Sequence, residues 1–284
     1  MANLCTHRLS VLSTMKGGKS TKKGTVRSHK QELGVSTTGE GIGPQLSLVT
    51  GTIGETLRFG SERQRKVYPV QPVTMQRMDL TLDRIHVVSN VLLPEECEYF
   101  ISWGEEHGFE EFKQAKTREY AHRENGRIQL EDAILAQRIF ARILSLLPTE
   151  LDRMAPLGCS SNIRLYRYTA GQSFGKHIDE DHFDPQLNGI TKYTLLVYLS
   201  GVSIESTVVA DTAESTVQDV PNVTCTGGET IFYKGHHDNK ALLSVAPEPG
   251  KMVLHGHGPK CLTHEGSAVT GGVKYVLRTD VVYG

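Results

Sequence analysis

The chain has 284 residues, and its 31 Lys and Arg nearly cancel 32 Asp and Glu, for a formal net charge of −1. That balance argues against a wholly basic nucleic-acid binder, and no run approaches the ~18 consecutive apolar residues of a membrane-spanning helix. Hydrophobic residues make up 38% and charged residues 22%, which suits a globular body with a real core. The five cysteines (Cys5, Cys97, Cys159, Cys225, Cys261) are scattered and form no CxxC pair. They argue against a disulfide framework or a cysteine zinc site and for a reducing, intracellular compartment, the cytoplasm first.

The neutral total hides two unlike parts. Residues 1–30 hold seven Lys or Arg and no acid, leaving 24 bases against 32 acids beyond them. This start reads as a disordered basic tail, with an organelle transit peptide as the rival reading, since such peptides are basic, Ser-rich and poor in acids. Gly18-Lys19-Ser20 does not complete a phosphate loop, because Ser13 stands where that motif needs Gly. Residues 31–75 are polar and Gly/Thr-rich and read as linker or irregular arm. The division is therefore 1–75, a polar N-terminal extension, and 76–284, the functional domain.

Apolar residues become frequent over 80–93. Pro94-Glu95-Glu96 then marks a helix start, with Pro in the first turn and carboxylates at the positive end of the dipole. This helix is expected to run to about 104. A second is expected over 131–147, where Ile134, Leu135, Ile139, Ile143, Leu144 and Leu147 recur mostly at spacings of three and four, and Pro148 ends it. From 162 onward the runs are β-branched and aromatic: 162–169, 193–200, 229–233, 251–255 and 273–283, with Gly/Pro turn signals between them. The class is mainly β with flanking helices (α+β), a sandwich or barrel with helices packed outside. Residues 201–226 interrupt the core pattern and read as a lid or surface hairpin.

The chemistry concentrates in "FGKHIDEDHFD" (174–184) and "CLTHEG" (261–266). His177 and Asp179 are two apart, a spacing that puts both side chains on one face of a strand. His264 supplies a second imidazole from another strand. Two imidazoles and one carboxylate on one face of a metal leave three positions open, the facial arrangement of non-haem iron(II) sites. Lys274 follows His264 by ten residues, across the Gly271-Gly272 turn, and Arg278 shares its strand face. Either cation could hold a carboxylate beside the metal, Arg278 in bidentate fashion.

From about residue 80 to 284 the sequence resembles the 2-oxoglutarate/iron(II)-dependent dioxygenases, specifically the prolyl 4-hydroxylase alpha-subunit-like catalytic domain. The resemblance runs through "RLYRYTAGQSFGKHID", "YTLLVYLS", "GGETIFY", "PEPGKMVLH" and "HEGSAVTGGVKYVLRTD". It implies a double-stranded β-helix (jelly-roll) core of eight strands. It implies iron(II) on His177, Asp179 and His264, 2-oxoglutarate anchored by Lys274 with Arg278 as rival, and Tyr168 and Thr194 lining the co-substrate pocket. The implied reaction consumes dioxygen, hydroxylates a C–H bond of a protein, peptide or small molecule, peptidyl proline among them, and releases succinate and carbon dioxide. Ascorbate would help to keep the iron reduced. The segment "AHRENGRI" (121–128) resembles a loop that faces substrate, which makes Arg123, Asn125 and Arg127 candidate substrate contacts; an exposed polar turn is the plain alternative. Tyr275 stands where the prolyl hydroxylases often have Trp, which leaves the substrate open.

Other groups have plainer readings. Asp181 and His182 fall in a polar loop, and His236-His237-Asp238 reads as a solvated turn. His255 and His257 either support the pocket or pack at a strand end. The alternative to an enzyme is a non-catalytic jelly-roll module that binds metal or a protein partner.

Overall fold

Pro94, Glu95 and Glu96 do open a helix, and the contacts Glu96 makes explain why it packs where it does. The computed structural model describes residues 45–53, 57–59, 71–81, 84–211 and 214–284. The basic start and its tail or targeting readings lie outside them. The first described elements are β1 (Gln45–Ile53), β2 (Gln71–Thr81) and β3 (Ile85–Val88), followed by α1 (Pro94–His107). β1, β2 and β3 pair in turn, antiparallel. The stretch expected to be irregular before residue 76 thus carries β1 and the start of β2. Their short alternations, such as Leu46 and Leu48 or Val73 and Met75, are diluted by Thr, Gln and Gly.

α1 runs three residues past the expected end, to His107, and stops at Gly108, whose φ of 80° suits glycine. It presses closely on the sheet beneath it: a Cβ on Gly104 would lie 2.6 Å from Leu165 Cδ2. Next come β4 (Glu110–Gln114), β5 (Arg123–Glu131) and α2 (Ala133–Ile143). α2 starts at 133 rather than 131 because Glu131 still pairs with Asn162 in the sheet and Asp132 caps the helix, accepting from Leu135 N–H at 2.9 Å. A 3-10 turn, Leu144–Leu146, closes it before Pro148. The two helices are joined by a fork: Arg142 Nη1 and Nη2 donate to the two oxygens of Glu96 at 2.6 and 2.9 Å. The same carboxylate accepts from the N–H groups of Leu57 and Leu93, so its charge is fully hydrogen-bonded despite complete burial.

The remaining strands are β6 (Pro156–Cys159), β7 (Asn162–Tyr168), β8 (Phe174–His177), β9 (Phe183–Asp184), β10 (Gly189–Tyr198), β11 (Val202–Asp211), β12 (Glu214–Val223), β13 (Cys225–Gly227), β14 (Thr230–Tyr233), β15 (Ala241–Val245), β16 (Met252–Gly256), β17 (His264–Gly266), β18 (Val269–Gly272) and β19 (Lys274–Tyr283). Four of them run side by side in the order β16-β10-β19-β7, and four more in the order β8-β17-β14-β15. In chain order the eight fall on the first row, then the second, then first, second, second, first, second and first. Successive antiparallel pairs wound between two rows in this way make a double-stranded β-helix, the expected jelly roll. β11 and β12 pair over their whole length as a separate ribbon, so the 201–226 insertion is a hairpin.

Strand alternation sorts the side chains into two cores. Tyr193, Leu195 and Val197 of β10, Leu254 of β16, Leu165 of β7 and Leu277 of β19 face the helices, where they join Phe100, Leu135, Ile139 and Ile143. The intervening residues face the inside of the roll, where Tyr166, Tyr168, Tyr198, Phe232, Val253 and Val276 form a second cluster. Each fully buried Leu or Phe contributes roughly 1.5–3 kcal/mol. The inward face also carries the polar groups of the site.

Candidate active site

Register alone brings the two imidazoles together. β8 and β17 pair antiparallel with His177 directly opposite His264, and the ring centroids are 4.2 Å apart. In each, Nδ1 donates to a carbonyl two residues back: Gly175 at 2.8 Å for His177 and Leu262 at 2.9 Å for His264. That fixes the tautomer and leaves Nε2 facing inward.

Asp179 completes the set, though not from a strand. β8 ends at His177, and Asp179 lies just beyond it, so the same-face argument from strand spacing does not explain its placement. Its backbone is tied down instead: Asp179 N–H donates to Cys261 Sγ at 3.2 Å, and Gly258 N–H to Asp179 O at 2.9 Å. Asp179 Oδ1 is 3.6 Å from His177 Nε2, and Oδ2 is 4.0 Å from His264 Nε2. Oδ2 also accepts from Thr194 Oγ1 at 2.6 Å and Arg278 Nη2 at 3.2 Å.

The electrostatics prepare these groups as ligands. Burial, helped by the nearby His264, pushes the His177 pKa down to about 3, and burial lowers His264 as well. Burial alone would raise Asp179, but the Arg278 guanidinium and the surrounding imidazoles hold it well below the usual carboxylate range. The centre therefore offers two neutral imidazoles and an ionised carboxylate. Two donors on one ion with bonds of about 2.0–2.2 Å lie at most about 4.4 Å apart, and the carboxylate stands within that span of both imidazoles, so the three could hold a metal ion.

The pocket holding this triad takes in about 490 Å³, its open mouth included. Lys274, opposite Tyr168 on β7, also lines it, as do Arg123, Glu265 and Arg278. Lys274 is 5% exposed, and its Nζ donates to Gly228 O at 2.6 Å. No ion pair joins it to a carboxylate among the described residues. The rings of Tyr168 and Tyr198 lie 5.4 and 5.5 Å away, and burial lowers the Lys274 pKa to about 8. Gly228 is needed here: its φ is +71°, and a Cβ would come 2.8 Å from Lys274 Cδ.

No family model matches the chain, and no curated protein matches it. Among solved structures it is similar to a viral collagen prolyl hydroxylase from Paramecium Bursaria Chlorella virus-1, with 15% identity and a TM-score of 0.46 over 70% of this chain and 96% of that one. It is also similar to a prolyl hydroxylase from Trichoplax adhaerens, solved with a hypoxia inducible factor peptide fragment (15%, TM-score 0.46, 70% and 84%). A third likeness is HygX from Streptomyces hygroscopicus, solved with nickel and 2-oxoglutarate (14%, TM-score 0.41, 70% and 83%). The fold itself rests on the strand order.

The other sequence candidates divide. Arg278 lines the pocket, but Asp179, Thr194 and Asp280 engage its Nη2 at 3.2, 3.1 and 3.4 Å. Burial opposes its charge, and the two carboxylates more than offset this and raise its pKa. Thr194 is inward on β10, and Tyr168 inward on β7, both in the pocket wall. The segment 121–128 is not a loop. Residues from Arg123 onward belong to β5, held between β4 and β7; its charged side chains mask the strand pattern. Arg123 reaches the pocket, stacked over Tyr166 and Phe174 at 4.6 and 4.4 Å. Asn125 is buried behind it and accepts from its Nε at 2.9 Å. Arg127 stacks instead on Phe112 at 5.2 Å and does not line the pocket.

Sequence reasoning passed over Tyr166, Leu196, Tyr198, Thr230 and Val276 as pocket walls. The signal was alternation: Thr194, Leu196 and Tyr198 share one face of β10, as Lys274, Val276 and Arg278 share one face of β19. His257 supports the centre at one remove. Its Nε2 is 2.7 Å from Thr194 Oγ1, and its Nδ1 is 3.1 Å from Thr191 Oγ1, which is 3.1 Å from Nδ1 of exposed His182. His236 and His237 line a separate hollow with Lys116, His122 and Lys176.

Proposed function

We propose that this protein is an iron(II)- and 2-oxoglutarate-dependent dioxygenase that hydroxylates a C–H bond of its substrate and releases succinate and carbon dioxide. One observation carries the reading. One pocket is lined by both a neutral-imidazole and carboxylate triad and a buried ammonium, that of Lys274. A five-carbon diacid has the same two functions: an oxo-acid end that chelates and a far carboxylate that needs a cation.

His177, Asp179 and His264 would hold the iron, which when bound supplies the activation of dioxygen. Thr194 and Arg278 hold Asp179 in place from behind. Lys274 binds the far carboxylate, since an ammonium has three donors and Gly228 O uses one. Tyr168, Tyr198 and Val276 keep water from that pair and so strengthen it. Arg123, braced by Asn125, is the substrate-facing cation, and peptidyl proline is the first substrate to test. A reducing, intracellular compartment, the cytoplasm first, is part of the same proposal.

The test is succinate formation from 2-oxoglutarate with iron(II) and ascorbate, comparing wild type with His264→Ala and Asp179→Ala. Both variants lose it. Equal turnover in all three sinks the assignment, and iron(II) binding with no spectral response to 2-oxoglutarate would leave a non-catalytic metal-binding jelly roll. Products one oxygen atom heavier, sought by mass spectrometry on peptide libraries and cell extracts, identify the substrate.

A further inference from the structure

His255 stands on the inward face of β16, opposite Thr194 of β10. It is 1% exposed. Its ring centroid is 4.3 Å from that of His264 and 5.6 Å from that of Phe232. Its Nε2 is 3.9 Å from Asp179 Oδ2, matching the 4.0 Å that separates His264 Nε2 from the same oxygen. Neither of its ring nitrogens has a hydrogen-bond partner among the described residues. A neutral imidazole carries one N–H and one lone pair, and leaving such a group buried and unpaired is unfavourable. The 3.9 Å to Asp179 Oδ2 is within the span of about 4.4 Å that two donors on one ion can have, so an ion held by that oxygen comes within reach of the lone pair, although His255 is not part of the close grouping of His177, Asp179 and His264.

Cys261 gives a second grouping, with His255 and His264. Its sulfur, however, accepts from Asp179 N–H and lies 3.9 Å from His264 Nδ1, the nitrogen already bonded to Leu262 O. It sits behind the His264 ring rather than at the centre.

We propose that His255 Nε2 is a fourth protein donor to the bound metal while the co-substrate is absent, and gives up its position when 2-oxoglutarate chelates. The second half rests on the reading of the site as a 2-oxoglutarate site. Six positions accommodate the triad, a bidentate co-substrate and dioxygen, with none left for a permanent fourth side chain. The structure distinguishes the two kinds of ligand. His177 and His264 are each pinned through Nδ1 to a carbonyl, whereas His255 Nδ1 has no hydrogen-bond partner among the described residues. A ring held by packing alone can leave.

The experiment counts imidazole nitrogens from the nitrogen splitting in the EPR spectrum of the copper(II)-loaded full chain. Wild type shows three without 2-oxoglutarate and two with it. His255→Phe shows two in both states, binds the metal about 10–100-fold more weakly and binds 2-oxoglutarate more tightly, having no ligand to displace. His255→Gln, which keeps a polar group, also shows two, and covers a failure of the Phe variant to fold. Two nitrogens in wild type without co-substrate overturn the proposal. Three that persist with 2-oxoglutarate overturn the displacement and count against the co-substrate reading. Loss of one nitrogen in both variants without any 2-oxoglutarate turnover upholds the donor and strikes the proposed function alone.

Discussion

Arg278 Nη2 lies 3.2 Å from Asp179 Oδ2, whereas Lys274, four residues earlier on the same face of β19, is hydrogen-bonded among the described residues only to a backbone carbonyl. The two cations of one strand thus have different tasks, and their variants separate. Arg278→Gln removes the guanidinium from Asp179 Oδ2 and leaves Thr194 as that oxygen's side-chain donor, so metal affinity falls about 10–100-fold, as for other groups that orient a ligand, while the 2-oxoglutarate requirement at saturating metal stays near wild type. Lys274→Met leaves metal binding unchanged and raises the 2-oxoglutarate requirement by the ~2–5 kcal/mol of a buried charge pair losing one partner. Metal and co-substrate titrations of the two variants check this; the reverse ranking moves the anchor to Arg278.

Burial sets a pH dependence on that anchor. With the Lys274 pKa near 8 against an ordinary 10.5, the ammonium is lost from the empty pocket as pH rises through about 8, so 2-oxoglutarate binding weakens there. The stability effect has the opposite sense. Between about 8 and 10.5 the unfolded chain binds the extra proton, so this group favours folding progressively as pH rises, having cost stability below 8. Calorimetric 2-oxoglutarate titrations on either side of pH 8, and unfolding midpoints over the same range, should show both slopes in wild type and neither in Lys274→Met.

Gly228→Ala tests the cradle beneath Lys274 without touching a charge. The new Cβ meets the lysine stem, and the positive φ adds a strain of about 1–2 kcal/mol. The expected outcome is weakened 2-oxoglutarate binding with intact metal affinity. Unchanged co-substrate affinity in a folded variant would mean that Lys274 tolerates displacement and is not the anchor.

The Glu96–Arg142 fork joins the two helices outside the roll. Glu96→Ala leaves the Arg142 guanidinium, only 5% exposed, without its carboxylate, and also unpairs the N–H groups of Leu57 and Leu93. Removing one partner of a buried pair costs about 3–5 kcal/mol. Urea unfolding should show that loss in the midpoint, with metal binding by the surviving folded fraction unchanged.

These residues also show what a sequence can reveal. His177, Asp179, His264 and Lys274 were legible because their spacing survives any detail of packing, and β7, β10, β14, β16 and β19 because buried strands need β-branched and aromatic residues. β5 was not legible, since its inward Arg123 and Asn125 find partners in aromatic rings and each other rather than in an apolar core. The brace on Asp179 was hidden too: the carboxylate follows its strand, and its hold on Cys261 and Gly258 spans some 80 residues of chain. His255 read equally as a support of the pocket or as packing at a strand end; only three-dimensional placement shows that no described group hydrogen-bonds to its ring.

Thr194 is the hinge of the polar network, with Asp179 Oδ2 at 2.6 Å and His257 Nε2 at 2.7 Å. Thr194→Val keeps the shape and removes the hydroxyl, which leaves His257 Nε2 unpaired and Asp179 held by Arg278 alone. Each buried group so orphaned costs about 1–3 kcal/mol, so the melting temperature should fall. Metal affinity should fall as well, because the carboxylate gains freedom to rotate away from the imidazoles. Thr194→Ser restores the hydroxyl without the methyl and should recover most of the metal affinity but less of the stability. If Val and Ser variants bind metal equally, the hydroxyl does not orient Asp179, and the role passes to Arg278.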